Sequence, residues 1–295
     1  MAMVPAVLMQ RHPLPSGRGS DRSHEVPVIF QGVFAALVRE LETLRRRDQV
    51  QRAALQQLQD QMRSAAELQR DLLPSRVPTI GGLQVDTLYR PAETVSGDFY
   101  DIVRLDDHRV AFTLADATGH GLPAGMLSAL TRRSLRARNG SAFPDEVLAA
   151  ANREVLSLGL SECQFVAALH AVYDEFARTL SWARGGLPYP IVVRDGEAPR
   201  QVSSAGPALG TVQDASFEVV TMTLQHGDRI IFHTDGLDCL LAERPGGDLP
   251  TSLWFAEVAR SELQSQINRL DARLAQARSA AHHIDDVTVI ALQAI

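Results

Sequence analysis

Apolar residues along this chain follow two rhythms. Between residues 29 and 74 they recur at alternating steps of three and four. Leu37, Leu41, Leu44, Leu55, Leu58, Met62, Ala65 and Leu72 share one seam. Asp48, Gln51 and Gln69 occupy its missing beats, and most positions outside the seam are Arg, Glu, Gln or Asp. A narrow apolar stripe sustained in this way predicts a long helix of coiled-coil type. At about 1.5 Å per residue, Leu37 to Leu72 spans roughly 50 Å. The stripe is covered either by a second copy of the helix or by the rest of the chain. Self-association is the preferred expectation, with Asp48 and Gln51 setting register or leaving a flexible joint. Pro74 ends the helix, and Pro78 with Gly81-Gly82 makes the link to the next segment.

Beyond that link the rhythm shortens. Runs rich in Val, Ile, Phe, Thr and Tyr predict strands at 83–90, 99–105, 109–115, 165–173, 179–183, 189–193, 217–224, 229–234 and 287–292. Helical spacing predicts 122–138, 144–158 and about 254–280, the second opened by Pro144-Asp145-Glu146. Strand runs, a helix pair, more strands, a helix and a closing strand predict antiparallel sheets with helices packed outside them. Residues 1–28, rich in Pro, Gly, Ser, Arg and His, read as a disordered tail, native or a tag or truncation scar. Three segments result: a tail over 1–28, a coiled-coil dimerisation helix over 29–74, and a catalytic-type domain over 75–295.

Composition narrows the function classes. With 295 residues, 45% of them hydrophobic and 22% charged, the chain is long enough for one large soluble domain plus an extension. A net charge of -6 argues against a nucleic-acid binder. No apolar run approaches the roughly 18 residues that span a bilayer. The apolar start of the chain is short, contains Pro5 and lacks a basic leader, so no signal peptide is expected. Cys163 and Cys239 stand far apart without a CxxC or a nearby base motif. They read as two reduced, non-catalytic thiols of a cytoplasmic protein.

The chemistry lies in aspartates at the ends of β-type runs. Asp98 and Asp101 sit in SGDFYD, Asp116 in ADATGHG, Asp235 in HTDGL, and Asp285-Asp286 in IDDVT. None of these stretches holds a basic side chain other than histidine. Carboxylates gathered from neighbouring strand ends repel one another unless a cation joins them. An all-oxygen donor set suits Mg²⁺ or Mn²⁺ rather than zinc. Two such ions about 3.5–4 Å apart can hold a hydroxide and clamp a phosphoryl group for in-line attack. Turn chemistry explains any one Asp-Gly pair alone, but not four acidic motifs in this order.

The run from Ala65 to the C-terminus resembles the bacterial protein phosphatase 2C-like (PPM) serine/threonine phosphatases of the SpoIIE/RsbU type. The resemblance is carried by Leu68-Gln69-Arg70-Asp71-Leu72-Leu73-Pro74, then Tyr89-Arg90-Pro91-Ala92-Glu93-Thr94-Val95-Ser96-Gly97-Asp98-Phe99-Tyr100-Asp101, then Ala115-Asp116-Ala117-Thr118-Gly119-His120-Gly121-Leu122-Pro123-Ala124. Gly206-Pro207-Ala208-Leu209-Gly210, the stretch from Gly227 to Leu237, and Asp285-Asp286-Val287-Thr288-Val289 complete it. It implies an α+β fold, an αββα sandwich of two antiparallel sheets flanked by helices, behind the long coiled-coil helix. It also implies a site for two divalent metal ions, Mn²⁺ or Mg²⁺. Asp98 and Asp116 would be core ligands with Asp116 the bridge. The carbonyl of Ala117 would stand where relatives use a glycine carbonyl, and Asp235 with Asp285 or Asp286 would complete the set, Asp285 being favoured. Asp101 would orient a water or cap a turn. His120 would play a structural part in the loop before a helix rather than act as a general acid, and His282 and His283 would be solvated.

The implied activity is metal-dependent hydrolysis of phosphoserine or phosphothreonine without a phosphoenzyme. The implied substrate is an anti-sigma-factor antagonist of a partner-switching pathway. A catalytically silent coiled-coil scaffold and a hydrolase of small phosphate esters are the rival readings. The chain departs from the family in two places: Gly185-Gly186-Leu187-Pro188 stands where many relatives carry Gly-His-Pro, and Ser96 where glycine is usual.

Overall fold

The computed structural model describes residues 28–137, 143–160, 164–194, 197–238, 262–279 and 284–295. The tail, both cysteines, His282, His283 and the first part of the helix expected over 254–280 lie outside them. The chain divides into two units, Met1–Gln57 and Leu58–Ile295. Helix α1 (Val28–Leu72) is a single 45-residue helix, as the seam spacing predicts. Within the first unit the seam residues are exposed: Leu37 by 55%, Leu41 by 49%, Leu44 by 54% and Leu55 by 60%. The break at Asp48 is taken up by an ion pair with Arg52, one turn on, at 2.9 Å. Such an exposed pair supports the helix by a few tenths of a kcal/mol.

The second unit is built on two five-stranded sheets. One runs in the order β2 (Asp98–Arg104), β3 (Arg109–Ala117), β4 (Val166–Asp174), β5 (Thr179–Gly185), β8 (Val219–Thr223). The other runs β1 (Leu83–Arg90), β10 (Val287–Ala294), β9 (Arg229–His233), β6 (Ile191–Val193), β7 (Arg200–Gln201). Every pairing between these strands is antiparallel. Nine strands fall where the alternation predicts them, β1 with the expected bounds. The two-residue β7 is an addition, too short to leave a pattern.

Period-two alternation sorts each strand's side chains into two layers. Tyr100, Phe112, Leu114, Leu169, Tyr173 and Trp182 face inward and meet Ile230, Phe232, Ile290 and Leu292 of the opposite sheet. The Trp182 and Phe232 rings pack edge to face, 6.3 Å between centroids. Outward-facing Phe99, Ala115, Ala168 and Ala183 receive α2 (Gly121–Arg136) and α3 (Pro144–Ser157) through Leu127, Leu135, Val147 and Leu148. Outward-facing Ile231, Val289 and Ala291 receive α4 (Leu263–Ser279) through Leu263, Ile267, Leu270 and Leu274. The layers are helices, sheet, sheet, helix, the αββα sandwich expected from the motifs. Among the described residues no helix is long and apolar enough to cross a membrane.

Candidate metal centre

Asp98 opens β2 and Asp116 nearly closes β3, and the register pairs them directly. Both share strand parity with inward-facing residues, so their carboxylates stand at the edge of the space between the sheets. Asp98 is 1% exposed. Its Oδ2 accepts hydroxyl hydrogens from Thr234 at 2.9 Å and Thr288 at 2.5 Å, both on the opposite sheet's side of the gap. Its Oδ1 is buried and among the described residues meets no N–H or hydroxyl donor; its neighbour is the Asp116 carboxyl, with which it pairs only by sharing a proton. A buried carboxylate oxygen left in this state is costly unless a cation completes it.

The approach to Asp98 is shaped by close backbone contacts. A Cβ on Gly97 would lie 2.6 Å from the carbonyl oxygen of Ala117, so only glycine lets that carbonyl come in beside the carboxylates. Ala117 returns its N–H to the Gly97 carbonyl at 3.1 Å. Asp235 begins a short 3-10 turn, Asp235–Leu237, directly after β9. A side chain at Gly236 would collide with the Asp286 carbonyl, which ties that turn closely to the start of β10.

The acidic groups act on one another. Burial, then the charge of Asp116, holds the Asp98 carboxyl well above the usual range, while the two threonine hydroxyls pull it down. Burial, then the charges of Asp235, Asp285 and Asp286, pushes Asp116 up to about 7. Burial and Asp285 raise Asp235. Among the described residues, the largest charges acting on these three are all carboxylates. The donor set is all oxygen and its carboxylates raise one another, which fits Mg²⁺ or Mn²⁺. Among the described residues no three His, Cys, Asp or Glu side chains form a ready-made metal cage. Mg²⁺ commonly takes one or two carboxylates and keeps several waters, so an open arrangement suits it.

The two acids of the Asp285-Asp286 pair differ. Asp286 is 8% exposed, and its Oδ1 accepts the Ala92 N–H at 2.6 Å while its Oδ2 accepts the Gly97 N–H at 2.7 Å. It ties the segment before Asp98 to β10. Asp285 is exposed and uses Oδ1 to accept the Asp286 N–H at 2.8 Å. Its charge is felt at Asp116 and Asp235.

Asp101 is elsewhere. Three residues beyond Asp98, it faces the helices, with Oδ2 3.5 Å from Arg132 and 3.7 Å from Arg136 of α2. It neither caps a turn nor reaches the cluster; it joins β2 to α2. His120 is the residue before α2, with its side chain 81% exposed and Nδ1 2.9 Å from Glu93, in keeping with a structural part. Residues that sequence reasoning passed over are Thr234 and Thr288, each beside or near a motif aspartate, and Gln69. The Gln69 amide spans the Ser96 backbone, donating to its carbonyl at 2.7 Å and accepting its N–H at 3.0 Å. The break in the apolar seam at that position was its signal. A cavity of about 280 Å³ opens against Asp116 and Asp235 and is also lined by Leu187, Tyr189, Gln201 and Asp238.

The profile of the family described as Stage II sporulation protein E (SpoIIE) matches residues 106–294, more than half of the chain. The phosphoserine phosphatase RsbU of Bacillus subtilis is 25% identical over 252 residues, covering 83% of this chain and 73% of its own length. Protein IcfG of a Synechocystis species is 25% identical over 60% of this chain, which spans only 32% of that relative. Among solved structures, the SiaA-PP2C domain of Pseudomonas aeruginosa is similar at a TM-score of 0.71 and 24% identity, covering 82% of this chain and 98% of its own. The catalytic domain of the serine/threonine phosphatase PstP, solved with two manganese ions, is similar at a TM-score of 0.55 and 14% identity, covering 72% and 98% respectively.

Proposed function

The chain belongs to the SpoIIE family, and from that premise we propose that it is a metal-dependent serine/threonine phosphoprotein phosphatase. The observation that supports this reading most is the Asp98 carboxylate, fixed between the sheets by two hydroxyls on one oxygen, with its second oxygen buried against another carboxyl, Asp116. Asp98, Asp116, Asp235, Asp285 and the Ala117 carbonyl are the groups proposed to hold two divalent ions. Asp286 is proposed to hold the Ala92–Gly97 segment in place rather than to bind directly. Bound Mn²⁺ or Mg²⁺ supplies Lewis-acid charge for the phosphate and activates water as the nucleophile. Thr234 and Thr288 aim the Asp98 carboxylate. The aspartates would supply the negative charge that holds the ions.

The proposed substrate is a phosphoserine or phosphothreonine protein, an anti-sigma-factor antagonist as the family resemblance implies, and the proposed location is the cytoplasm. The exposed seam of α1 is the basis for proposing a homodimer, with light scattering of the full chain as its check. Phosphate release from a phosphoserine protein at saturating Mn²⁺ tests the activity. It is expected for the wild type and absent in Asp116→Asn and Asp235→Asn. Near-wild-type turnover in either variant would rule out the assigned site.

A further inference from the structure

The cavity beside the acidic cluster is lined partly by residues that the metal site does not use. The loop after β5 supplies some of them. Arg184, at 9% exposure, donates from its guanidinium to the carbonyls of Leu187 and Ser204, the latter at 2.8 Å. The same guanidinium lies 4.4 Å from the centroid of the Tyr189 ring. Arg184 therefore fixes the loop and presets the ring, whose remaining surface is open to solvent, Tyr189 being 39% exposed. This is the stretch in which the chain departs from the Gly-His-Pro of many relatives.

Asp238 also lines the cavity. Its side chain is 46% exposed, so the carboxylate presents an open edge, while its Oδ1 is buried towards His233 and has no hydrogen-bond partner among the described residues. The nearest candidate, His233 Nδ1, is 3.6 Å away and is spent on the Thr234 carbonyl oxygen at 3.0 Å. Among the described residues no arginine lines the cavity, and Gln201 adds only a neutral amide. Metal ions held at Asp116 and Asp235 would leave Asp238 outside their set. An acidic group entering this space would meet an unbalanced carboxylate and an electron-rich ring face. A guanidinium or ammonium group would satisfy both at once.

We infer that this cavity is the substrate-selecting subsite of the phosphatase reaction, and that it takes a basic side chain flanking the phosphorylated residue between Asp238 and the Tyr189 ring. The inference rests on the phosphoprotein phosphatase reading above. Tyr189, Asp238 and Gln201 make the contacts; Arg184 is a positioning residue that acts through the loop.

Three synthetic phosphoserine peptides, flanked by arginine, alanine or glutamate, test it by their kcat/KM values with Mn²⁺. The wild type is expected to favour the arginine peptide over the glutamate peptide by about tenfold or more, the scale of one cation–carboxylate contact reinforced by a ring. The ratio should fall towards one in Asp238→Asn and invert in Asp238→Arg, while Tyr189→Leu should lower it without inverting it. Each ratio is taken on one variant, so partial loss of fold or metal common to both peptides cancels. If Asp238→Asn does not fold, Tyr189→Leu and Gln201→Arg carry the test, both lowering the ratio. Equal turnover of the three peptides by the wild type overturns the subsite and leaves the phosphatase reading standing. A preference that survives unchanged in every variant does the same. No turnover of any phosphopeptide or phosphoprotein by the wild type overturns both.

Discussion

Strand β2 carries two buried aspartates three residues apart, and the alternation of the strand sends them to opposite faces. Asp101 faces α2 and lies against two guanidinium groups, so its charge is answered within the protein. Asp98 faces the other sheet, receives two hydroxyl hydrogens on one oxygen and meets only a second carboxyl, Asp116, at the other. Burial is similar, 5% and 1% exposed. What separates a structural acid from a candidate metal ligand is the company it keeps: arginines at one, further carboxylates at the other.

That contrast can be broken from either side. The largest effect is expected from Asp98→Asn, which should cost at least about a hundredfold in Mn²⁺-dependent phosphate release, at or beyond the ~10–100-fold scale of groups that merely orient metal ligands. Its far-UV circular dichroism should match the wild type, because the change relieves repulsion and keeps volume. Asp101→Asn should do the reverse. It leaves Arg132 buried against a neutral group and should lower unfolding free energy by about 3 kcal/mol in denaturant titration, the low end for a broken buried pair because Arg136 is half exposed. Its Mn²⁺ dependence should persist.

A smaller effect is expected from Thr288→Val, which removes the closer hydroxyl from Asp98. Mn²⁺ affinity by calorimetry should weaken by about tenfold, as for other groups that orient a ligand.

The most graded effect concerns pH. Asp116, raised to about 7, binds its proton more tightly folded than unfolded. Its contribution is therefore fully present below the ordinary carboxyl range near 4 and is lost as pH rises towards 7. Buried His170 and His233, held down to about 4, act oppositely, since their contribution is lost as pH falls from about 6.5 through 4. Both histidines are present with or without metal, so a difference measurement largely removes them. The gap in melting temperature between Mg²⁺-loaded and metal-free protein should widen from pH 4 to pH 7 and shrink in Asp116→Asn.

Alternation and turn residues made the antiparallel strands and outer helices legible, because each strand is buried on both faces or punctuated at its ends, and β1 is placed to the residue; their stacking as a two-sheet sandwich was implied by the family resemblance. The two-residue β7 left no period to read. The aspartates were legible as motifs, but their division of labour was not. Asp101 differs from Asp98 only through Arg132 and Arg136, which reach it across the sheet–helix packing. Asp286 differs from Asp285 through backbone N–H groups of Ala92 and Gly97, and backbone donors leave no mark in a sequence. Gln69 did leave one, as a polar beat in an apolar seam. Asp238 is one more acid after Asp-Gly-Leu until the fold sets it in the same cavity as Tyr189.

Calorimetric titration of Mn²⁺ into the metal-free protein tests the assignment of the inner-edge carboxylates most directly. The expected result is two ions bound per chain, with binding strongly weakened in Asp98→Asn and Asp116→Asn and kept in Asp101→Asn. Absence of binding to the wild type, or binding that Asp98→Asn leaves untouched, would contradict it.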